Sequence, residues 1–199
     1  FYRYGLGLQT ADLVGTKSWD EIVEKLIGFA NQNKEGWIIG RGWDQNDWEV
    51  KEFPANQKLN ELFPGRPVLL TRIHGHAAIA NQLALGMAGV TAGQKLTGGD
   101  VEVKNGKLTG ILIDNAIGLV RSKVPAPNAA QMKSALLQAQ KNCFAVGLTT
   151  VDDCGVSFNE VILMDSIQKS GELKMRIYAM LSDSKRNYDY LFNKGKIKT

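Results

Sequence analysis

The sequence contains few of the residues that bind metals or form disulfide frameworks. Its 199 residues include two cysteines and two histidines. Two cysteines are too few for a disulfide framework, and Cys143 falls on the apolar face of a predicted helix, so we expect a buried thiol there. A catalytic zinc site uses three protein ligands. The two histidines alone therefore leave such a site incomplete.

Long apolar runs and clusters of basic residues are also missing. No apolar run approaches the roughly 20 residues that cross a bilayer, so no membrane partner is expected. The net charge of +4 comes from scattered basic residues, except in the tail 194–198, which we interpret as a solvated chain end or a boundary. Nucleic-acid-binding modules present a clustered basic patch, so no nucleic-acid partner is expected either. A hydrophobic content of 44% with 22% charge is ordinary for a globular protein.

The second half of the sequence alternates predicted helices and strands. Asn128 and Gln131 are spaced to cap a helix that Gly147 ends, and Ser157 with Glu160 forms a second capping box. Beyond the first of these helices, the predicted elements are a strand at 148–151, a helix at 157–170, a strand at 174–181 and a helix near 185–193. This alternation is typical of βα units on a parallel sheet.

The first half contains the same kinds of element and a hairpin. Ser18 and Glu21 have the spacing of a capping box, and Asn105 with Gly106 is a favoured hairpin turn. The predicted elements are helices at 19–32, near 58–63 and at 77–87, strands at 37–40 and 67–71, and a hairpin whose return strand spans 107–113. We place the hairpin in an insertion of about 92–124.

Three predicted strands end in polar residues. These strand ends are 41–44, 72–76 and the pair Asp152 and Asp153. In parallel βα folds the active site lies at the carboxyl ends of the strands. We therefore expect the three groups to meet at one edge of the sheet.

His74 and His76 are the clearest candidates for chemistry. Residues i and i+2 of a strand point to the same side, so the pair is placed to aim two imidazoles at one point. The imidazoles could act as metal ligands or bind a substrate through hydrogen bonds. The alternative is one buried structural histidine and one exposed histidine.

The other two strand ends also allow a functional and a structural interpretation. Of the pair Asp152 and Asp153, one carboxylate could orient a histidine or bind a cation, or one could cap the next element. Arg41, Trp43 and Asp44 provide a cation, an aromatic surface and a carboxylate for a pocket. The structural alternative is core packing by Trp43 and a salt bridge by Arg41.

The order and spacing of several short motifs resemble one enzyme family. The motifs are WIIGRGWDQ at 37–45, Pro54, PVLLTRIHGH at 67–76, Asn81, AL at 84–85, TGIL at 109–112 and GLTTVDD at 147–153. Together they are similar to the amidohydrolase-superfamily branch that includes N-substituted formamide deformylase and TIM-barrel metal-dependent hydrolases. The resemblance implies a (β/α)8 barrel beside a small β-sandwich, with one or two divalent metals at the carboxyl ends of the strands.

The resemblance implies that this chain is an internal segment. In the family a His-x-His metal motif directly precedes a stretch like residues 1–7, and a lysine that is often carboxylated follows a little beyond residue 199. We therefore expect an α/β partial barrel with an inserted hairpin, lacking the first and later barrel strands. The metal, taken as zinc, belongs to the longer protein, and none is expected to bind tightly here. Relatives commonly have Asp in place of His74, whereas Arg72 and His76 match the family.

The function implied by the resemblance is hydrolysis of C–N bonds in amide-like small molecules, with metal-bound hydroxide attacking the carbonyl. His76 and Asp153 are the expected catalytic residues. The expected substrate-binding residues are Arg41, Trp43, Asp44, Arg72 and His74. The segment alone is expected to be inactive and to form homo-oligomers through exposed barrel edges. The alternative is a self-contained α/β binding module without catalysis.

Overall fold

The computed structural model describes residues 1–194, without the side chain of Lys194. The basic tail noted in the sequence therefore lies outside the described residues, except for the backbone of Lys194. The chain forms two compact units. We call Thr10–Ala126 the central unit, and Phe1–Gln9 together with the residues from Pro127 on the terminal unit.

Helices and strands alternate along much of the chain. The strands are β1 (Ala11–Asp12), β2 (Ile38–Trp43), β3 (Val68–Arg72), β4 (Ala77–Ala80), β5 (Gly99–Lys104), β6 (Lys107–Asp114), β7 (Thr150–Val156) and β8 (Arg176–Leu181). The helices are α1 (Tyr2–Gly7), α2 (Trp19–Gln32), α3 (Gln57–Leu62), α4 (Gln82–Ala88), α5 (Asn115–Arg121), α6 (Ala129–Ala145), α7 (Phe158–Lys169) and α8 (Lys185–Lys194). None of these helices is long and apolar enough to span a bilayer.

The central unit contains a six-stranded mixed sheet in the order β1-β2-β3-β4-β6-β5. β1, β2 and β3 are parallel, and the remaining neighbours are antiparallel. The sheet is covered on both faces: α2 and α3 pack over Leu70, and α4 and α5 pack over Leu69. A strand buried on both faces has a continuous apolar run instead of alternation, which explains the sequence of β3.

The terminal unit contains the parallel pair β7 and β8, joined by α7. The capping boxes predicted at Asn128 and Ser157 are present and begin α6 and α7. Buried side chains of α1, α6, α7 and β7 form its core, which includes Tyr2, Leu136, Met164 and Val156. The predicted α/β class is thus confirmed, and β7-α7-β8 is the βα unit expected for the second half.

The helix predicted at 77–87 is wrong in its first part. Residues Ala77–Ala80 form β4, which pairs with β3 and β6, and the helix begins only after Asn81. All four residues of β4 are buried, so they show no alternation that would identify a strand. A short apolar run of this kind fits a buried strand and a buried helix equally well. α1, β1 and α5 were not predicted from the sequence.

Candidate functional site

The candidate site lies at the turn between β3 and β4. His74 and His76 are in this turn and not on a strand, so the alternation argument for their side chains was wrong. Gly75, with φ of +85°, allows the reversal, and the two imidazole centroids lie 5.5 Å apart. The rings are therefore neighbours because the chain turns, a geometry that strand spacing did not predict.

Pairing of β2 with β3 brings two of the predicted strand ends together. Trp43 lies opposite Arg72 in this parallel pair. The Arg72 guanidinium donates to Asp44 at 2.6 Å, and the side chains are only 11% and 19% exposed. The Nε of Arg72 is buried and has no hydrogen-bond partner in the described part of the chain. This ion pair is shielded from solvent and fixes Arg72 beside the turn.

Asp44 has a second partner that stabilises its charge. Its Oδ1 accepts the Asn46 N–H at 2.9 Å, capping the short 3-10 turn Gln45–Asp47. Burial, the largest influence, opposes ionisation, but the Asn46 N–H and Arg72 together hold the pKa of Asp44 below its ordinary value. Asp44 is therefore an anion that orients Arg72.

His74 lies between two hydrogen-bond donors. Its Nδ1 accepts the backbone N–H of His76 at 2.9 Å, and its Nε2 contacts the Arg72 guanidinium. A neutral imidazole has one acceptor nitrogen and an imidazolium has none. Burial first, and then the positive charge of Arg72, lower the pKa of His74. A carboxylate at this position could accept from both donors, so the site suits Asp better than His.

His76 pairs with Asp114, a residue that the sequence analysis missed. The His76 Nδ1 and Asp114 Oδ1 atoms are 2.7 Å apart, and the side chains are 76% and 46% exposed. β6 has the same direction as β3, because two antiparallel steps separate them. The carboxyl end of β6 therefore meets the same edge as the turn. The return strand was predicted to end at Ile113, so Asp114 was not recognised as a polar residue at a strand end.

Arg41 and Trp43 differ in what they offer a ligand. The exposed Arg41 side chain donates to the Ile73 carbonyl at 3.3 Å. Trp43 is 0% exposed, packs against Trp48 and Phe53, and donates its Nε1–H to the Leu70 carbonyl. The expectation that Trp43 lines a pocket is corrected: its side chain is core, as in the structural alternative.

Asp153 lies in the terminal unit. β7 continues through Asp152 and Asp153 to Val156, so these residues do not follow the strand as predicted. The buried Asp153 carboxylate accepts from the Tyr2 N–H at 2.8 Å and from the Phe1 nitrogen at 3.0 Å. β7 pairs with β8 in a separate sheet. The expectation of one shared sheet edge is therefore confirmed for β2 and β3 and wrong for β7.

The described residues do not provide a metal site. No group of three or more His, Cys, Asp or Glu side chains within 1–194 is placed to hold a metal ion. His74, His76, Asp44 and Asp114 are instead engaged in pairs with each other or with Arg72. This arrangement is that of a polar hydrogen-bonding cluster.

The fold of the whole chain is similar to two solved structures described as uncharacterized metal-dependent hydrolases. For the protein from Pyrococcus horikoshii OT3 the TM-score is 0.68 at 22% identity, with 100% of this chain and 38% of that chain covered. For the protein from Pyrococcus furiosus the TM-score is 0.69 at 25% identity, with 100% and 39% covered. The fold that carries the polar cluster is therefore one that also occurs in proteins described as metal-dependent hydrolases.

Comparison of the sequence identifies the family. Residues 1–198 match the amidohydrolase family, and the chain belongs to that family. It is 41% identical over 141 residues to the putative amidohydrolase YtcJ of Bacillus subtilis (strain 168), covering 69% of this chain and 27% of YtcJ. It is 33% identical over 209 residues to the protein LONG AFTER FAR-RED 3 of Arabidopsis thaliana, covering 97% of this chain and 36% of that protein. The chain thus spans about a third of each curated relative or less.

Proposed function

We propose that this chain is part of a longer metal-dependent hydrolase that cleaves C–N bonds other than peptide bonds in small amide-like molecules. The observation that carries the proposal is the match to the amidohydrolase family over residues 1–198. The description of the structural neighbours as metal-dependent hydrolases agrees with it. The divalent metal is proposed to be zinc, and its ligands are proposed to lie in other parts of the longer protein, as the family resemblance implies.

In this proposal the turn between β3 and β4 contributes to substrate binding. His76 is largely exposed and binds the polar group at the reacting end of the substrate. Arg72 is held beside the turn by its ion pair with Asp44, and the exposed Arg41 supplies the accessible positive charge. His74 maintains the turn by accepting the His76 N–H. Oriented groups of this kind bind a substrate without reorganising during the reaction.

Asp153 is proposed to support catalysis from the terminal unit. Its carboxylate holds the backbone nitrogens of Phe1 and Tyr2. In this proposal residues 1–7 are the stretch that follows a His-x-His metal motif of the longer protein, as the resemblance implies. Asp153 would then fix the backbone that leads out of the metal motif. This role is positional and requires no direct contact between Asp153 and substrate.

The finer architecture is also a proposal. β7 and β8 are parallel and joined by α7, as neighbouring strands of a (β/α)8 barrel are. We assign them to such a barrel, whose remaining strands lie in other parts of the longer protein. The organisation of residues 1–199 as one segment with an insertion at about 92–124 stays a prediction.

The proposal is tested with the longer protein that contains this chain. The purified protein, loaded with zinc or stripped with a chelator, is offered a panel of N-substituted formamides and N-acyl amines, and amine release is measured. We expect metal-dependent release that is reduced at least tenfold in His76→Gln, since the substitution removes a group placed to bind the substrate. Lys25→Gln, an exposed change on α2, is the matched control and is expected to retain full activity.

Three results would each contradict a part of the proposal. Absence of amine release from the whole panel with the metal-loaded longer protein would remove the C–N hydrolase assignment. Metal-dependent turnover by the 199-residue chain alone would contradict the view that the ligands lie outside it. Equal activity of His76→Gln and Lys25→Gln would remove His76 from the site while leaving the reaction class intact.

A further inference from the structure

Asp114 has a backbone conformation that residues other than glycine rarely adopt. It ends β6, and α5 begins at the next residue. Its φ and ψ are 48° and −117°. Asn105 is the other non-glycine residue with positive φ in the described chain, and it occupies a hairpin turn that requires this conformation. Asp114 is not in a turn that requires positive φ. Strained backbone of this kind is concentrated at functional sites.

The Asp114 side chain does not perform the usual task of an aspartate before a helix. Aspartate at this position normally caps the helix by accepting a backbone N–H from its first turn. Asp114 makes no side-chain capping hydrogen bond to α5. Its carboxylate instead contacts the His76 imidazole at 2.7 Å, while its backbone N–H donates to the His76 carbonyl at 3.0 Å. The strained strand-to-helix junction thus directs the carboxylate to the histidine.

A carboxylate beside one ring nitrogen decides the tautomer of a histidine. When Nδ1 donates to the carboxylate, Nε2 carries the lone pair and can accept a hydrogen bond or a proton. The ring is largely exposed, and its described hydrogen bond uses Nδ1, so Nε2 is the nitrogen left for a ligand. A carboxylate that accepts from one ring nitrogen also orients the histidine of a catalytic triad, although that carboxylate is buried and Asp114 is 46% exposed.

We infer that Asp114 is a positioning residue that holds His76 in the Nδ1–H tautomer, with its Nε2 lone pair available to substrate. The inference rests on the proposed function, in which His76 binds the substrate. It assigns to Asp114 a role that acts through His76 and requires no contact with substrate. The strained conformation of Asp114 is then the structural cost of this orientation.

The experiment measures the imidazole nitrogen chemical shifts of the full 199-residue chain by NMR. Only two histidines are present, so His74→Gln assigns their signals. We expect His76 of the unsubstituted chain to be mainly in the Nδ1–H form. Asp114→Gly removes the carboxylate and suits positive φ, so we expect the folded variant to lose this form in favour of Nε2–H. Asn105→Gly, which changes the other strained residue, is the matched control and should leave His76 unchanged.

The outcomes separate this role from a structural one. An unsubstituted chain with His76 mainly in the Nε2–H form overturns the inference, whether or not any variant folds. A folded Asp114→Gly variant with an unchanged tautomer also overturns it. Asp114→Asn keeps an oxygen that can accept from Nδ1–H, and it is expected to restore the tautomer lost in Asp114→Gly. Because no substrate is present, failure of the hydrolase assay leaves this result untouched, and failure here leaves the hydrolase assay untouched.

Discussion

His74 accepts the His76 N–H and also faces the Arg72 guanidinium, although a neutral imidazole has one acceptor nitrogen. Replacement of His74 by aspartate, which can accept from both donors, tests this account. We expect His74→Asp to raise the free energy of unfolding by about 0.5–1 kcal/mol, because a carboxylate accepts both the His76 N–H and the Arg72 guanidinium at a partly exposed site. Urea denaturation measures the change. His74→Asn provides the turn acceptor without the charge and is the control, with a smaller effect. A loss of stability in His74→Asp would contradict this account of the turn.

His74 also predicts how stability depends on pH. The pKa of His74 in the folded chain is lowered from 6.5, first by burial and then by the charge of Arg72. Between the two pKa values the unfolded chain therefore binds more protons. The contribution of His74 to stability is fully present above about pH 6.5 and is lost as the pH falls through the folded pKa.

The measurement is urea denaturation of the unsubstituted chain and of His74→Gln at about pH 7.5 and about pH 5.5. The unsubstituted chain is expected to lose more stability on acidification than the variant, which has no proton to gain at this position. The lowered pKa of Asp44 also makes stability fall on acidification. That loss occurs below about pH 3.8, outside the pH range of this measurement. Identical losses in the two chains would contradict the assigned role of His74.

Asn81 connects several elements through one buried side chain. Its Oδ1 accepts the N–H groups of Ala84 and Val68, at 3.1 and 3.0 Å, and thereby caps α4 and satisfies the start of β3. Its Nδ2 donates to the carbonyls of Phe63 and Arg66, at 3.1 and 2.8 Å. All hydrogen-bonding atoms of this fully buried amide are thus used inside the protein.

We expect Asn81→Ala to lower the free energy of unfolding by about 2–4 kcal/mol, because it removes a helix cap and leaves buried backbone groups unpaired. Asn33→Ala is the matched control, since Asn33 is exposed and its side chain donates only to the Phe29 carbonyl. Its expected loss is at most about 0.5 kcal/mol. Urea denaturation of both variants checks the difference, and similar losses would contradict it.

Local sequence signals predicted the elements that begin or end at a capping residue or at a tight turn. Ser18, Asn128 and Ser157 begin helices as their spacing indicated, and Asn105 with Gly106 forms the hairpin turn. β4 and α5 were not predicted. Their apolar residues are buried by neighbouring elements in the folded chain, and the short sequences themselves show no pattern that identifies a strand or a helix. The candidate site shows the same division: Arg72, Asp44 and His76 were found from strand ends, whereas Asp114 required knowledge of the strand order.

The central unit contains everything needed for its own core. Its six strands pair only with one another, and both of its apolar clusters lie within residues Ala11 to Val124. We therefore expect residues 10–126, produced alone, to fold with a single cooperative urea transition and a dispersed NMR spectrum. A polypeptide of residues 1–9 fused to 127–199 is the comparison. Absence of a cooperative transition in 10–126 would contradict the independence of this unit.

The terminal unit carries exposed apolar side chains on its small sheet and on α8. Tyr178 and Met180 of β8 are 56% and 40% exposed, and Phe192 of α8 is 85% exposed. Such surfaces and open strand edges favour self-association. We expect sedimentation to show a mass that rises above 21.8 kDa with concentration, and Tyr178→Glu to reduce this rise.

Val50→Glu, an exposed change in the central unit, is the control for that measurement and is expected to have no effect. A chain that remains monomeric at all concentrations would favour the alternative of a self-contained binding module. It would also remove the homo-oligomer proposed from the exposed edges of a partial barrel.

Local spacing and the order of motifs were enough to predict the α/β class, the capped helices, the hairpin and the membership of a hydrolase family. Three other properties became visible in the folded chain: Trp43 is core, β7 belongs to a different sheet from β2 and β3, and Asp114 pairs with His76. These properties depend on which strands pair and which faces become covered. Such pairings join residues far apart in the chain, and no local pattern encodes them.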